Sequence, residues 1–253
     1  MSTFDRNSNL RYSAAGARAE AGVYDEGLRA YMLGVYNYMA LGLGITGLAA
    51  LATFYFAIDQ SSGGMALTPF GQAIYLSPLK WVVMLAPLAA VFFLSFRIQK
   101  MSASAAQTTF WVYAAIMGVS LSSIFLVFTG GSIARVFFIT AASFGALSLY
   151  GYTTKKDLSG WGSFLFMGLI GIVIASIVNI FLASSAMQFA ISVIGVLVFA
   201  GLTAYDTQQI KEMYYEGDSS EVSIKKSVMG ALRLYLDFIN LFLMLLQLFG
   251  NRD

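Results

Sequence analysis

The chain of 253 residues contains no cysteine and no histidine, and only 11% of its residues are charged. The missing cysteines exclude disulfides and zinc–thiolate centres within the chain. The missing histidines exclude serine and metal proteases that depend on a histidine base or ligand. They also remove the side chain that usually titrates near neutral pH. Any pH response of this protein must therefore come from carboxyl groups whose surroundings alter their protonation.

The shortage of charge goes together with an excess of apolar residues. Hydrophobic residues make up 58% of the chain, and the mean hydropathy is +0.73, whereas soluble domains carry about 25% charged residues. So much apolar surface does not fit inside one soluble core of this size, so we expect the lipid bilayer to be its solvent. The net charge of +2 gives no indication of a nucleic-acid partner.

Seven apolar segments have about the 20 residues that are needed to cross a bilayer. We number them as spans one to seven in chain order: residues 31–57, 79–96, 108–128, 133–152, 161–182, 187–210 and 228–249. The connections between them are short and polar. The predicted fold class is an all-α polytopic membrane protein with one seven-helix transmembrane domain over residues 31–250. Residues 1–30 are polar and of mixed charge, which favours a disordered cytosolic tail.

The distribution of lysine and arginine predicts the orientation, because cytosolic segments carry the excess of positive charge. With the N-terminus in the cytosol, the inner side holds twelve of these residues and the outer side holds three. The inner set is Arg6, Arg11, Arg18, Arg29, Arg97, Lys100, Lys155, Lys156, Lys211, Lys225, Lys226 and Arg233, and the outer set is Lys80, Arg135 and Arg252. We therefore expect a cytosolic N-terminus and an external C-terminus.

Two acidic residues lie inside the spans, where ionisable groups are rare and usually face the bundle interior or a cavity. Asp206 lies in GLTAYDTQQIK of span six, and Asp237 lies in LRLYLDFINLF of span seven. With spans six and seven joined by a cytosolic turn, the helical rise places both residues about 12–13 Å above the cytosolic helix ends. Neighbouring antiparallel helices could therefore bring the two carboxyl groups into contact.

The facing of the two helices leads to the same expectation. On span seven, polar and flexible residues recur at steps of three and four, which places them in one stripe: Arg233, Asp237, Asn240, Met244 and Gln247. Span six has a comparable stripe of mainly small and polar residues: Ser192, Gly195, Phe199, Thr203 and Asp206. We expect the stripes to face each other, with span seven shielded from lipid.

Two carboxylates in contact in an apolar region cannot both ionise cheaply, so such a pair shares a proton and titrates as a unit. A switch of this kind would need no histidine. The residues leave alternatives open: Asp237 could form a structural ion pair with Arg233 at i,i+4, and Asp206 could be an interfacial residue. Arg97, at the end of span two, could equally be an ordinary positive anchor.

Two segments resemble the transmembrane Bax-inhibitor-motif family, in its bacterial branch. They are NIFLASSAMQFAISVIGVLVFAGLTAYDTQQIK (179–211), with its YDTQQI element, and LYLDFINLFLMLLQLFG (234–250), with its YLDFINLF element. The resemblance covers residues 30–250 and implies seven helices, the seventh surrounded by the other six. It also implies a pH-sensitive calcium leak gated by a di-aspartyl pair. The positions that match this pair are Asp206 and Asp237.

The resemblance further implies that an arginine on helix two, here Arg97, engages Asp206 in one gating state. Beside these residues, Tyr205, Arg233 and Asn240 are candidate secondary partners of the pair. The chain departs from the family pattern in one respect. Some members carry an acidic residue further along helix two, whereas MLAPLAAVF (84–92) contains none, so helix two contributes no carboxylate to a cation path at this position.

The resulting expectation is a calcium leak channel in the bacterial inner membrane, with Ca²⁺ as the permeant ion in transient contact with Asp206 and Asp237. We expect no cofactor and no catalytic activity. One alternative is a regulator of a membrane-anchored ATP-dependent protease or of a stress pathway, with the N-terminal tail as the contact. The other is an intramembrane aspartyl protease, which is disfavoured because LYL rather than a glycine-containing motif precedes Asp237.

Overall fold

The computed structural model describes the backbone of residues 3–59 and 66–252, and the side chains from residue 25 onward within those ranges. The elements are α1 (Thr3–Ala57), β1 (Ile58–Asp59), β2 (Ala66–Leu67), α2 (Pro69–Tyr75), α3 (Leu79–Arg97), α4 (Ala103–Leu121), α5 (Gly130–Thr153), α6 (Ser159–Leu182), α7 (Ser185–Glu212) and α8 (Ser220–Phe249). The two strands form a short antiparallel pair. Most side chains of residues 1–30 lie outside the described part of the chain, so the disordered cytosolic tail stays a prediction.

Within the described residues, seven helices are long and apolar enough to cross a membrane. They correspond one to one with the predicted spans, α1 and α3 to α8 in order, and the predicted fold class is therefore confirmed. Apart from α1, whose helix begins at Thr3 rather than at residue 31, the largest difference is the start of α8, at Ser220 rather than at residue 228. The first two turns of α8 are polar, and a search for apolar residues does not include them.

Polar residues in the connections set the starts of several helices. The side chains of Ser102, Thr129, Ser184 and Ser219 each accept a backbone N–H from the first turn of the following helix. Such caps satisfy amide groups that would otherwise lack a partner at a helix start. Helix α6 ends instead at Ala183, which adopts a left-handed conformation with φ of 48°. The short polar connections therefore fix where the long apolar helices begin and end.

Helix α8 is the central helix of the bundle. In its apolar window 67% of the residues are buried, compared with 17–39% in the other six spans. Its main neighbours are α1, α4, α5 and α7, whereas α3 packs chiefly against α4 and α6 chiefly against α7. The prediction of a central seventh helix is confirmed, and the outermost positions of the bundle belong to α3 and α6.

Close helix crossings depend on glycine at two positions. A Cβ atom at Gly118 of α4 would lie 2.4 Å from the backbone oxygen of Thr46 on α1. A Cβ atom at Gly151 of α5 would lie 2.2 Å from the backbone oxygen of Ala204 on α7. Small residues permit this approach of helix backbones in a membrane. The crossings hold α1 against α4 and α5 against α7, around the central helix.

Gly118→Ala is expected to destabilise the bundle, because the added methyl group meets backbone atoms that cannot move aside without shifting a helix. Overpacking of this kind costs about 1–3 kcal/mol. The matched control is Gly171→Ala on α6, where no atom lies within 4 Å of the added Cβ. Thermal unfolding in detergent should give a lower Tm for Gly118→Ala than for Gly171→Ala. Equal Tm values for the two variants would show that the α1–α4 crossing is not tightly constrained.

The predicted orientation can be tested with single cysteines, since the chain has none of its own. Glu216 in the α7–α8 connection and Ser185 at the start of α7 are both exposed. Treating intact cells with a membrane-impermeant maleimide should modify Ser185→Cys but not Glu216→Cys, which should react only after permeabilisation. The unsubstituted chain is the control. The reverse labelling pattern would contradict a cytosolic N-terminus.

Candidate functional site

Helices α7 and α8 bring Asp206 and Asp237 together, with their carboxyl groups close enough for a hydrogen bond between them. Asp237 is buried, with 4% of its surface exposed, and Asp206 is partly buried. An ionised carboxylate can only accept hydrogen bonds. A hydrogen bond between two carboxyl groups therefore requires a proton on at least one of them.

The second carboxyl oxygen of Asp237, Oδ2, is buried without a hydrogen-bond partner in the described structure. An unpaired buried polar atom is costly, and the cost is far higher for an ionised group than for a neutral one. Ionisation of Asp237 in this geometry would have to be compensated by water, by a cation or by movement of a helix.

Arg233 is the nearby positive charge that acts on both aspartates. It lies one helical turn before Asp237 on α8, and its side chain is exposed. Across the described residues, the ion pairs with N–O distances of 4.0 Å or less are Lys225–Glu221 and Lys226–Asp218. The alternative of a direct Asp237–Arg233 ion pair is therefore not the arrangement found, and Arg233 acts on the pair from a greater distance.

A cavity of about 620 Å³ lies beside the aspartate pair, between α6, α7 and α8. Tyr205, Asp206, Arg233, Asp237 and Asn240 all contribute to its wall. The candidate secondary partners predicted from the sequence therefore share one space with the pair. Tyr205 owes its position to Gly162 on α6, because any Cβ at residue 162 would lie 2.7 Å from the tyrosine Oη.

Several side chains that line this cavity carry oxygen atoms, including Asp206, Asp237 and Asn240. Asn240 uses its Nδ2 to donate to the backbone oxygen of Leu236 at 2.8 Å, so its amide oxygen remains available as an acceptor beside the two carboxyl groups. Such oxygen donors suit hard cations. Within the described part of the chain, no three His, Cys, Asp or Glu side chains are grouped as a metal site. The arrangement thus offers a cation a few oxygen contacts and no complete coordination sphere.

The structure does not bring Arg97 to the aspartates. Arg97 ends α3 with an exposed side chain and does not line the cavity. The segment that contains Pro87 remains helical throughout α3, and Pro87 itself is buried. The predicted role of Arg97 as a gating partner therefore concerns an arrangement different from this one.

The two predicted stripes do face each other along much of α7 and α8. A Cβ at Gly195 would lie 2.7 Å from the sulfur of Met244, and Phe199 and Asp206 share the cavity with Asp237 and Asn240. At the far end the correspondence is weaker, because Gln247 is exposed and accepts a hydrogen bond from Arg252.

Two buried hydroxyl groupings were not anticipated from the sequence. The Thr46 hydroxyl oxygen lies 2.6 Å from Tyr235 Oη and also donates to the backbone oxygens of Gly42 and Ala114, joining α1, α4 and α8. Ser148 on α5 lies 2.6 Å from Tyr36 Oη on α1 and 2.9 Å from the Thr207 hydroxyl on α7. Single hydroxyl residues in apolar spans give little sequence signal, because each can bond to its own helix backbone.

Comparison with known proteins gives consistent results. A family profile described as "Inhibitor of apoptosis-promoting Bax1" matches residues 28–253. An uncharacterised protein of Rickettsia prowazekii is 52% identical over 229 residues, which are 90% of this chain and 92% of the relative. The inner membrane protein YbhL of Escherichia coli is 52% identical over 228 residues, 89% of this chain and 93% of the relative.

A more distant relative is an uncharacterised membrane protein of Streptococcus pyogenes, 35% identical over 232 residues, or 90% of this chain and 96% of the relative. None of these three descriptions names a catalytic activity. The profile match covers nearly the whole helical bundle, including both helices that carry the aspartates. The chain is therefore an integral membrane protein that belongs to the family of inhibitors of apoptosis-promoting Bax1.

Proposed function

We propose that this protein is a pH-sensitive cation leak channel of the bacterial inner membrane, with calcium as the permeant ion. The hydrogen-bonded pair of Asp206 and Asp237, buried where α7 meets the central helix α8, carries the proposal. The inner-membrane location is inferred from the description of the Escherichia coli relative as an inner membrane protein.

The shared proton holds the gate closed. While it is present, the hydrogen bond joins α7 to α8 directly. When it is lost, two negative charges face each other in a region of low dielectric, where their repulsion is strong. The helices then separate, and water and cations from the adjoining cavity reach the carboxylates. Acidic conditions therefore close the channel, and alkaline conditions open it.

The donor set of the cavity favours passage of a cation over its retention. Calcium takes about 6–8 oxygen ligands in a resident site. The cavity offers the carboxyl oxygens of Asp206 and Asp237 and the amide oxygen of Asn240, so a cation would keep part of its water shell. The exposed guanidinium of Arg233 on the same cavity wall also weakens cation binding. Weak and incomplete coordination allows an ion to leave as well as to enter.

Arg97 becomes relevant only if α3 moves. In the closed arrangement, α3 packs chiefly against α4 and Arg97 is exposed. We propose that Arg97 approaches Asp206 after the carboxyl pair has separated, when an ionised Asp206 needs a compensating positive charge.

Calcium flux into liposomes tests the role of the pair. Asp206→Asn and Asp237→Asn remove the titratable group but keep a side chain that can form hydrogen bonds. Each variant is expected to lose the rise in flux that the wild type shows on going from mildly acidic to mildly alkaline pH, because no repulsion can develop. Asp157→Asn, an exposed residue in the α5–α6 connection, should keep the wild-type profile. A full pH response in either of the first two variants would exclude gating by the pair.

Deletion of residues 2–24 separates the channel from the alternative of a tail-dependent regulator. The deletion ends before Leu28, which is buried in the core at 6% exposure, so the bundle should keep its packing. Calcium flux and its pH dependence are expected to equal those of the full chain. Loss of flux from a deletion variant that retains its Tm would indicate that the tail takes part in the activity itself.

A further inference from the structure

A second large opening lies on the other side of α8, between α1 and α5. It is a lateral groove of about 710 Å³, with the ring of Phe238 from α8 as part of its floor. Leucine, methionine, alanine and phenylalanine side chains make most of its walls. It shares no lining residue with the cavity beside the aspartates. The gating mechanism described above makes no use of this groove.

The length of the groove corresponds to one leaflet of a bilayer. Along α1 it extends from Arg29 to Leu43, and along α5 from Tyr152 to Ala141. At the helical rise per residue these stretches are about 21 Å and about 16 Å long. A hydrocarbon core of about 30 Å gives about 15 Å for each leaflet. The groove therefore extends from the headgroup level, at Arg29 and Tyr152, to about the middle of the membrane.

Two basic residues, Arg29 and Lys211, lie at or beside the headgroup end of the groove. Arg29 lines the opening, is exposed and forms no ion pair with the described acidic residues, although the exposed Asp25 and Glu26 lie on the preceding turn. The Lys211 ammonium donates to the backbone oxygen of Tyr152 at 2.9 Å and lies 5.2 Å from the centre of the Tyr152 ring. Lys211 does not itself line the groove, but an ammonium group has three donors, so it keeps donors for a ligand beside Tyr152.

The deeper part of the groove requires no polar ligand. The two hydroxyl groups on its wall, those of Tyr36 and Ser148, lie 2.6 Å apart and satisfy each other. Gly145 leaves the groove open at mid-depth, because no atom lies within 4 Å of where its Cβ would be. The groove thus combines an apolar channel of leaflet length with a cationic opening.

We propose that this groove binds one anionic phospholipid, with an acyl chain between α1 and α5 and the phosphate held by Arg29 and Lys211. Guanidinium and ammonium groups are the usual protein partners of phosphate. Basic pockets between transmembrane helices on the cytosolic side bind anionic headgroups. The lipid would link the cytosolic ends of α1, α5 and α7, independently of the aspartate gate.

Native mass spectrometry tests the proposal by measuring which lipid stays bound to the protein. The full chain is released from mixed micelles that contain equal amounts of phosphatidylglycerol and phosphatidylethanolamine. The wild type should retain one phosphatidylglycerol in preference to phosphatidylethanolamine. Arg29→Gln and Lys211→Gln should each lower that retention about five-fold, the effect of one basic residue at an anionic surface. Arg135→Gln, an exposed residue at the opposite end of α5, is the matched control and should retain the lipid as the wild type does.

A second pair of variants tests the acyl-chain part of the site. Gly145→Leu places a side chain in the open groove and should reduce retention of phosphatidylglycerol. Gly171→Leu on α6, where the space around the glycine is also open, should leave it unchanged. Equal retention of the two lipids by the wild type would overturn the proposal, as it indicates annular lipid only. Retention that survives the double substitution of Arg29 and Lys211, or that survives Gly145→Leu, would also overturn it.

Discussion

Two carboxyl groups that are buried between helices can face each other at close range only when they hold a proton between them. In this protein Asp206 on α7 and Asp237 on the central helix α8 are the two groups that meet in this way, and we propose that they share such a proton. The unpartnered Oδ2 of Asp237 makes full ionisation in place costly. The proposed gate would couple a local protonation equilibrium to the packing of α7 against α8. With no histidine in the chain, this pair is the structure's strongest candidate for a response to pH.

The rest of the bundle gives that pair a rigid surrounding. Thr46 and Tyr235 connect α8 to α1 and α4 through buried hydroxyl groups, and the Gly118 crossing fixes α1 against α4. These contacts lie away from the α7 side of α8. Repulsion between the aspartates would therefore act directly on the contact between α7 and α8. The two proposed sites lie on different sides of α8: the lipid groove is beside α1 and α5, and the cation cavity is beside α6 and α7.

Hydropathy predicted the seven helices because each apolar run is long and is bounded by polar connections. Helical spacing also predicted that Asp206 and Asp237 would meet, since residues on facing stripes at similar depth have few other partners. The first turns of α8 were missed because they are polar, although Ser219 and Glu221 form a typical helix start. Spacing could not decide between an aspartate pair and an Asp237–Arg233 ion pair, since that choice depends on side-chain conformation. The exposed position of Arg97 depends on how α3 packs, which no local pattern specifies.

The central claim is that the aspartate pair holds a proton that is lost as the pH rises. Infrared difference spectroscopy of the protein in liposomes measures this directly, because a protonated carboxyl group has a C=O band distinct from that of a carboxylate. A protonated-carboxyl band is expected at mildly acidic pH, and it should disappear when the pH is raised to mildly alkaline values. That change should be absent from Asp206→Asn and Asp237→Asn. A wild-type spectrum without such a band, or the same pH-dependent loss of the band in both variants, would contradict the shared-proton gate.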